Sequence, residues 1–290
     1  MNFYFNEFEK YLKNDKKVSA NTLSNYLRDV QYFLNFKNFT DFPVDSDISD
    51  YELFLFNNGK SAATVSRIHA SIKCYYLFLR KKKYIDCFPE IKTAVKSEDH
   101  PIPEVLSHTE IEALLKAPNT KDYKGLRDKA ILETLYATGL KVSEIISLRI
   151  YDINLTLGYI KISGKNRDRI IPMYKQAIKS VSDYLKTSRD VISVTDDDHL
   201  FLNMSGGPLT RQGIWKIIKS YADKSGIEKD ITPHILRHSF AAHLVENGAG
   251  LDDIKNILGF ADMSSTRVYS EIFKTKYSKA YKRFHPMENK

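Results

Sequence analysis

Two stretches near the C-terminus, 232–238 and 264–269, place a histidine, an arginine and a tyrosine in an order that suits attack on a phosphodiester. In the first, a threonine that can cap a helix precedes a proline suited to the first helical position. His234 and Arg237 then fall on one face of the predicted helix. In the second, Tyr269 follows a serine and threonine cluster that predicts the start of a short helix. A guanidinium, an imidazole and a phenol that converge on one phosphate form a site for covalent phosphoryl transfer.

Five segments of the chain, these two among them, resemble the motifs of the tyrosine recombinases, or phage integrases, and in particular of their Xer branch. The other three are 19–29 near the N-terminus, 137–144 with the sequence ATGLKVSE, and 163–172 with the sequence SGKNRDRIIP. All stand in the family's order and at its spacing, so the resemblance covers nearly the whole chain. It implies a site-specific recombinase that cuts and rejoins DNA strands.

The resemblance also assigns roles to individual residues. Tyr269 would be the nucleophile, and its 3′-phosphotyrosyl link would conserve the energy of the broken bond, so that no ATP, metal or other cofactor is needed. Arg237 would hold two phosphate oxygens, and His234 would hydrogen-bond the phosphate or assist removal of the tyrosine proton. Lys165, in the hairpin turn, would protonate the leaving oxygen as general acid. Glu144 would orient neighbouring donors rather than react.

Two positions depart from the family's pattern. Lys141 stands where the family carries arginine, which keeps the charge but loses the planar guanidinium fork. Phe260 stands where family members have histidine or tryptophan, and its ring offers no hydrogen-bond donor to a phosphate oxygen. Because the loss of one transition-state donor costs about 3 kcal/mol, we expect slower cleavage. We expect these two departures to affect the rate of cleavage rather than the fold or DNA binding.

Three hypotheses about function remain open at this point. The first is an active recombinase that clamps duplex DNA and works as a tetramer on two sites, either in chromosome dimer resolution or in integration and excision of a mobile element. The second is a catalytically weakened DNA-binding subunit that pairs with a more active relative, so that the tetramer is homomeric or heteromeric. The third is a relaxing enzyme of topoisomerase type, which shares the tyrosine chemistry but not the spacing of these motifs. We favour the first.

The composition favours a nucleic-acid partner. The 290 residues include 44 Lys and Arg against 36 Asp and Glu, which gives a net charge of +8. This balance suits double-stranded DNA, although charge alone fits a merely basic soluble protein equally well. Cys74 and Cys87 are not spaced as metal ligands, so we expect no metal and a reduced intracellular setting. Since no signal peptide and no apolar run of about 18 residues is visible, we expect a cytoplasmic protein with no membrane partner.

The pattern of apolar residues predicts a mainly α fold with a small antiparallel β-sheet. We expect a helical N-terminal domain over 1–86, a linker with several prolines over 87–104, and a second domain over 105–290. By resemblance, these are the SAM-like core-binding domain and the tyrosine-recombinase catalytic domain. The sheet is predicted as a hairpin of two strands, at 159–162 and 169–172. Helices are expected at 51–56, 62–79, 125–136, 175–185, 211–224, 233–247 and 251–258.

Several basic residues are candidates for contacts with the DNA backbone. They are Arg80, Lys81, Lys82 and Lys83 beside the linker, and Arg167 and Arg169 in the hairpin. Each set has a plainer interpretation as solvated charge, in the first case at a helix end. His238 and His243 are interpreted as packing or helix-surface histidines. The final segment, 277–285, is either a terminal helix on its own domain or a docking segment for the next subunit.

Overall fold

The computed structural model describes residues 4–37, 44–86, 89, 104–164, 168–194, 198–260, 266 and 269. The chain divides into two compact units, Met1–Asp99 and His100–Lys290. Both consist mainly of helices, and the small antiparallel sheet lies in the second unit, which confirms the predicted fold class. Within the described residues, no helix is both long enough and apolar enough to cross a membrane.

Helices of the first unit pack around an aromatic core. Its described α-helices are α1 (Phe5–Lys10), α2 (Ala20–Leu34), α3 (Asp45–Asn57) and α4 (Ala62–Lys81). Ser19 and Ser61 start α2 and α4, because each hydroxyl accepts the backbone N–H of the residue three positions further on. Phe8, Phe33 and Tyr75 are fully buried between the helices. The core therefore depends on large rings, as the aromatic content of this half of the chain predicts.

Helix α3 begins at Asp45, ahead of the start that the sequence pattern predicts at Tyr51. The Asp47 carboxylate accepts the Val44 backbone N–H at 3.0 Å and so satisfies a donor in front of the first turn. Carboxylates near a helix N-terminus also interact favourably with its dipole. Apolar periodicity did not reveal this start, because the first turn is mostly polar.

The second unit is organised around helix α6, which packs against three other α-helices and against a strand of the sheet. The described α-helices of this unit are α5 (His108–Lys116), α6 (Tyr123–Thr138), α7 (Val142–Ser147), α8 (Lys175–Asp183), α9 (Asp190–Ile192), α10 (Arg211–Lys224), α11 (Pro233–Glu246) and α12 (Leu251–Leu258). Ile131 and Leu135 of α6 lie in a continuous apolar core. A smaller cluster, which includes Phe240 and Leu258, packs α11 against α12 beside it.

Three antiparallel strands form the sheet in the order β1 (Ile153–Asn154), β2 (Tyr159–Ile162) and β3 (Arg169–Pro172). Ile160 pairs with Ile171, and both side chains are buried. The boundaries of β2 and β3 are those predicted. The sequence does not reveal β1, because two residues are too few to show an alternating pattern. Residues 165–167, which connect β2 and β3, lie outside the described residues.

Helices α5 and α11 begin at the capping residues that the sequence predicts. Ser107 and Glu110 form a capping box at α5, with the Glu110 N–H donating to the serine hydroxyl at 3.2 Å and the Ser107 N–H donating to the glutamate at 2.7 Å. The Thr232 hydroxyl accepts the Ile235 N–H at 3.3 Å, and Pro233 takes the first helical position of α11. Both predictions are confirmed.

Candidate active site

Helix α11 carries a row of polar side chains on one face. His234, Arg237 and His238 are spaced three and four positions apart, so they are neighbours on the helix surface. His234 is exposed, Arg237 is buried, and His238 is half-buried. One residue further on, the Ser239 hydroxyl accepts the backbone N–H of Leu106 at 2.8 Å. This face of α11 is therefore held both by its own cap and by a tertiary hydrogen bond.

The Arg237 guanidinium is fixed between the ends of two helices. It donates to the Gly139 carbonyl at 2.5 Å and to the Leu258 carbonyl at 2.8 Å. Carbonyls at helix C-termini carry partial negative charge, which suits a cation. Burial lowers the pKa of this guanidinium from its ordinary value, while Glu144 and Tyr269 act in the opposite direction. The side chain thus sits as a buried cation whose orientation is set before any ligand arrives.

Phe260 covers the Arg237 guanidinium. The ring centroid lies 5.1 Å from the guanidinium carbon, a cation–π distance. By resemblance to the family, position 260 would be expected to carry a donor to phosphate. Here the aromatic ring stabilises the neighbouring arginine instead of offering a donor of its own.

Tyr269 lies in the same cluster with its phenol buried. Only 1% of the residue is exposed, and its hydroxyl lies 2.6 Å from the Nδ1 of His238. Burial raises the pKa of Tyr269 to about 12, and Arg237 opposes the rise. The predicted nucleophile and the predicted guanidinium therefore share one local environment. The helix predicted to begin near this tyrosine lies mostly outside the described residues.

His238 also belongs to the cluster, although the sequence motifs did not identify it as a site residue. It was interpreted as a packing or surface histidine, whereas the structure places its ring in hydrogen-bond contact with the Tyr269 hydroxyl. Burial lowers the pKa of His238, and the nearby His234 and Arg237 lower it further. The spacing in the sequence could have indicated this position, because His238 follows His234 by four residues and must share its helical face.

Lys141 and Glu144 belong to the turn that starts α7. The Lys141 backbone N–H donates to the Glu144 carboxylate at 2.8 Å, which caps the short helix, and the lysine side chain is exposed. The other carboxylate oxygen accepts a hydrogen bond from Arg169 at 2.8 Å. Glu144 therefore holds both the start of α7 and the Arg169 side chain, and its role in orienting donors toward a phosphate stays a prediction.

Arg169, predicted to contact the DNA backbone, has partners within its own unit. Its side chain is only 14% exposed and forms an ion pair with Glu144. Its Nε donates to the Ile257 carbonyl at 3.0 Å, and the guanidinium packs against Gly259, whose φ of +66° ends α12. These partners occupy much of the guanidinium inside the unit, and the contact with the DNA backbone stays a prediction. Arg169 holds strand β3 to the end of α12.

Arg169 and Arg237 both bind the C-terminal end of α12. They donate to consecutive carbonyls, those of Ile257 and Leu258. Each also contacts the 139–144 segment. The two guanidinium groups therefore link three elements near the buried phenol, namely the end of α12, the start of α7 and strand β3.

Other predicted site residues either lie outside the described part of the chain or belong to the first unit. Lys165 and Arg167 lie outside the described residues, as does segment 277–285. Arg80, Lys81, Lys82 and Lys83 belong to the first unit, at and just beyond the end of α4, and all four are exposed. Lys81 has an acidic neighbour, with its Nζ 3.6 Å from the Asp15 carboxylate. The basic cluster is thus present at the surface of that unit.

One group of side chains in the second unit has the composition of a metal site. The ligand atoms of His108, His243 and Glu246 lie within 4.8 Å of one another. The two imidazoles are stacked with their centroids 3.9 Å apart, and the His243 Nδ1 is hydrogen-bonded to the Tyr136 hydroxyl at 2.9 Å. Ring nitrogens in stacked planes do not point at one position, so a shared metal would require His108 to rotate. As placed, the group joins the start of α5 to α11.

A buried phenol beside an imidazole and an anchored guanidinium is suited to phosphoryl transfer onto the tyrosine itself, and the mainly α fold places these groups in its second unit.

Comparison with known proteins agrees with a protein that forms a covalent link through tyrosine. Residues 104–276 match the phage integrase family, and residues 5–83 match the phage integrase N-terminal SAM-like domain. The chain is 40% identical over 295 residues to tyrosine recombinase XerD of Listeria monocytogenes serotype 4b (strain F2365), with 99% of each chain covered. It is 38% identical over 293 residues to XerD of Staphylococcus saprophyticus, again with 99% coverage of both.

These matches extend over most of the chain, so it belongs to the phage integrase family and is a site-specific recombinase of the Xer type. Solved structures agree in fold. A crystal structure of XerA recombinase is 28% identical and aligns over 98% of both chains with a TM-score of 0.56. XerH recombinase bound to a palindromic difH substrate aligns over 96% of this chain and 84% of that one, with a TM-score of 0.75 at 20% identity.

Proposed function

We propose that this chain cuts a strand of duplex DNA by attack of the Tyr269 phenolic oxygen on a backbone phosphate, and later rejoins it. The observation that carries the proposal is the place of that oxygen, 2.6 Å from the His238 Nδ1 in a cluster whose buried cation is Arg237. A nucleophile beside a proton acceptor and a phosphate-binding cation has the parts that covalent phosphoryl transfer requires.

In the proposed step, a bond forms between the Tyr269 oxygen and phosphorus while the bond from phosphorus to the 5′ oxygen breaks. The products are a 3′-phosphotyrosyl link and a free 5′-hydroxyl, which receives its proton from Lys165 as general acid. Attack by the 5′-hydroxyl of a partner strand reverses the chemistry and releases the tyrosine. Because the ester conserves the bond energy, the cycle needs neither ATP nor a metal.

The remaining residues of the motifs have supporting roles in this proposal. Arg237 uses part of its five-donor fork on two carbonyls, so its orientation toward a phosphate is fixed in advance. Preorganised donors of this kind stabilise the developing charge without having to reorient during the reaction. Exposed His234 would hydrogen-bond the phosphate, and Lys141 would add positive charge at its edge. Glu144 would hold the turn that presents Lys141.

The proposed partner is double-stranded DNA, in keeping with the net charge of +8. We propose residues 1–86 and 105–290 as the two DNA-contacting domains, joined by 87–104, with the basic cluster 80–83 along the DNA backbone. Four subunits would assemble on two sites, as identical copies or together with a related chain. The reaction would take place in the cytoplasm and serve chromosome dimer resolution or the integration and excision of an element.

A second candidate function follows from Phe260 and Lys141. The ring over Arg237 supplies no donor to the phosphate, and Lys141 supplies a point charge in place of a fork. These two changes favour a subunit that binds the recombination site but cleaves slowly, and that depends on a more active partner chain.

A nicked suicide duplex tests the proposal. The binding site is first selected from a random pool of duplexes, and the nick is placed so that the short 5′-hydroxyl fragment diffuses away after cleavage. The active recombinase should form a covalent adduct that survives denaturant and is absent in Tyr269→Phe. Binding of the site without any adduct would favour the second candidate, and relaxation of supercoiled DNA without sequence preference would contradict both.

A further inference from the structure

We propose that His238 is a catalytic residue that accepts the proton of Tyr269 as the phenolic oxygen attacks the phosphate. The inference rests on the proposed function and adds to it the identity of the proton acceptor. In this proposal the two histidines of α11 have different roles. His234 hydrogen-bonds the phosphate, and His238 accepts the proton of the phenol.

The contact geometry is that of a proton-transfer pair. The His238 Nδ1 and the Tyr269 hydroxyl lie 2.6 Å apart, within the distance required of a general base and its donor. The two rings are tilted by 47° with their centroids 5.8 Å apart, so contact is made at the ring edge, where the nitrogen lone pair lies. A hydroxyl can donate along that lone pair only when the histidine carries its own proton on Nε2.

The helix that carries His238 fixes this geometry. The residue lies between Arg237, whose guanidinium is bonded to two carbonyls, and Ser239, whose hydroxyl is bonded to the Leu106 N–H. Both neighbours are buried, so the backbone at His238 has little freedom to shift. Tyr269 is almost fully buried as well, which excludes water as the ready acceptor of its proton.

The charge environment favours a neutral imidazole. Among the described residues, the titratable or charged groups that face His238 are His234 and Arg237 on its own helix and Tyr269 opposite. Burial, together with His234 and Arg237, lowers the pKa of His238. The ring is therefore unprotonated near pH 7 and can accept a proton. Burial makes the phenol a poor acid by raising the pKa of Tyr269 to about 12, so attack at neutral pH requires a base beside it.

The proposed transfer balances over a cycle. When the bond between Tyr269 and phosphorus forms, the phenolic proton passes to Nδ1 and leaves an imidazolium, while the departing 5′ oxygen takes a proton from the general acid. During rejoining the attacking 5′-hydroxyl returns its proton to the general acid, and the imidazolium returns its proton to the phenolic oxygen as that oxygen leaves phosphorus. No further reactant is consumed, and the same residue acts as base in cleavage and as acid in ligation.

The test compares His238→Asn with His243→Asn on a nicked suicide duplex in single turnover. The asparagine oxygen at position 238 can still accept the phenolic hydrogen bond from about the place of Nδ1, but it cannot take up the proton. His243 is the matched control because it lies on the same helix and its Nδ1 is also bonded to a tyrosine hydroxyl, that of Tyr136. Thermal unfolding of both variants confirms that they fold.

The proposal expects adduct formation in His238→Asn to fall about a hundredfold while DNA affinity stays constant, the usual scale for loss of a general base. It also expects the wild-type rate to rise with pH as the imidazole loses its proton below pH 7, and this rise to disappear in the variant. A duplex with a sulfur in place of the bridging 5′ oxygen, which leaves without a general acid, should not rescue the variant.

Other outcomes separate the possible failures. An unchanged or faster adduct rate in His238→Asn would mean that the histidine only restrains the tyrosine, and the proposed role would be wrong while the proposed function survived. Rescue by the sulfur substrate would assign His238 to the leaving group instead. Absence of any adduct in the wild type would remove the proposed function and this role together. Nitrogen NMR showing the proton on Nδ1 of His238 at pH 7 would overturn the role without any cleavage assay.

Discussion

The guanidinium of Arg237 lies against the face of the Phe260 ring, with 5.1 Å between the guanidinium carbon and the ring centroid. A cation over an aromatic face contributes about 1 to 2 kcal/mol when both groups are withdrawn from water. The ring therefore helps to hold the arginine even though it cannot donate to a phosphate. This relationship explains how the cluster keeps its form with an apolar side chain at position 260.

Phe260→His should speed cleavage. The imidazole would restore a donor near the phosphate held by Arg237, and one transition-state donor is worth about a hundredfold in rate. Single-turnover adduct formation on a nicked duplex measures the effect, and Lys141→Arg added to the same chain should raise the rate further. Phe260→Leu, which removes the ring without adding a donor, is the control and should not accelerate the reaction. Equal rates in Phe260→His and the wild type would contradict our account of this position.

Arg169→Lys should slow cleavage without unfolding the protein. An ammonium cannot reproduce the guanidinium contacts to both the Glu144 carboxylate and the Ile257 carbonyl. We expect about a tenfold lower adduct rate and a loss of about 1 to 2 kcal/mol in the free energy of unfolding. The matched control is Lys161→Gln on the adjacent strand β2, whose exposed side chain pairs only loosely with Asp168 at 3.4 Å. If both variants cleave at the same rate, the positioning role of Arg169 is wrong.

Gly139→Ala should destabilise the second unit strongly. Gly139 has a φ of +59°, and an added Cβ would overlap the Phe240 ring and the Leu258 side chain. Backbone strain and overpacking together should cost about 3 kcal/mol in a denaturant titration. Gly226→Ala isolates the backbone contribution, because its φ is +68° and an added Cβ meets nothing within 4 Å. That variant should lose only about 1 kcal/mol, and equal losses in the two would argue against the packing explanation.

Lys82→Gln combined with Lys83→Gln should weaken DNA binding and reduce its dependence on salt. If both side chains contact phosphates, the slope of log K against log salt should become less steep by about 2, since each contact contributes about 0.9. Fluorescence anisotropy over a salt series measures the slope. Lys116→Gln, an exposed lysine of α5 paired with Glu112, removes a charge elsewhere and should leave the slope unchanged. An unaltered slope in the double variant would mean that the cluster is only solvated charge.

The sequence predicts those parts of the fold that short-range chemistry decides. The starts of α5 and α11 follow from Ser107 and Thr232, because a capping side chain bonds to a backbone N–H only three residues away. The start of α3 was predicted too late, because carboxylates rather than apolar periodicity define it. Strand β1 was missed since its two residues are recognisable only through their pairing with β2.

In the candidate site, too, local features could be predicted from the sequence and long-range contacts could not. The shared helical face of His234 and Arg237 is a local property and was predicted, and the position of His238 on that face was available from the same spacing. The partners of Arg169 are not local, because Glu144 is 25 residues away and Ile257 is 88 residues away along the chain. Charge and position in a hairpin suggested a DNA contact, and only the folded arrangement reveals that these distant groups already occupy the guanidinium.

The hydrogen bond from the Leu106 backbone to Ser239 has a mechanical consequence. Ser239 is the second residue after Arg237 on α11, so the incoming polypeptide is tethered almost directly to the helix that bears the reactive groups. Any displacement of the Leu106 backbone must therefore be shared by α11 within one turn of the reactive groups, so this segment and the helix are mechanically coupled.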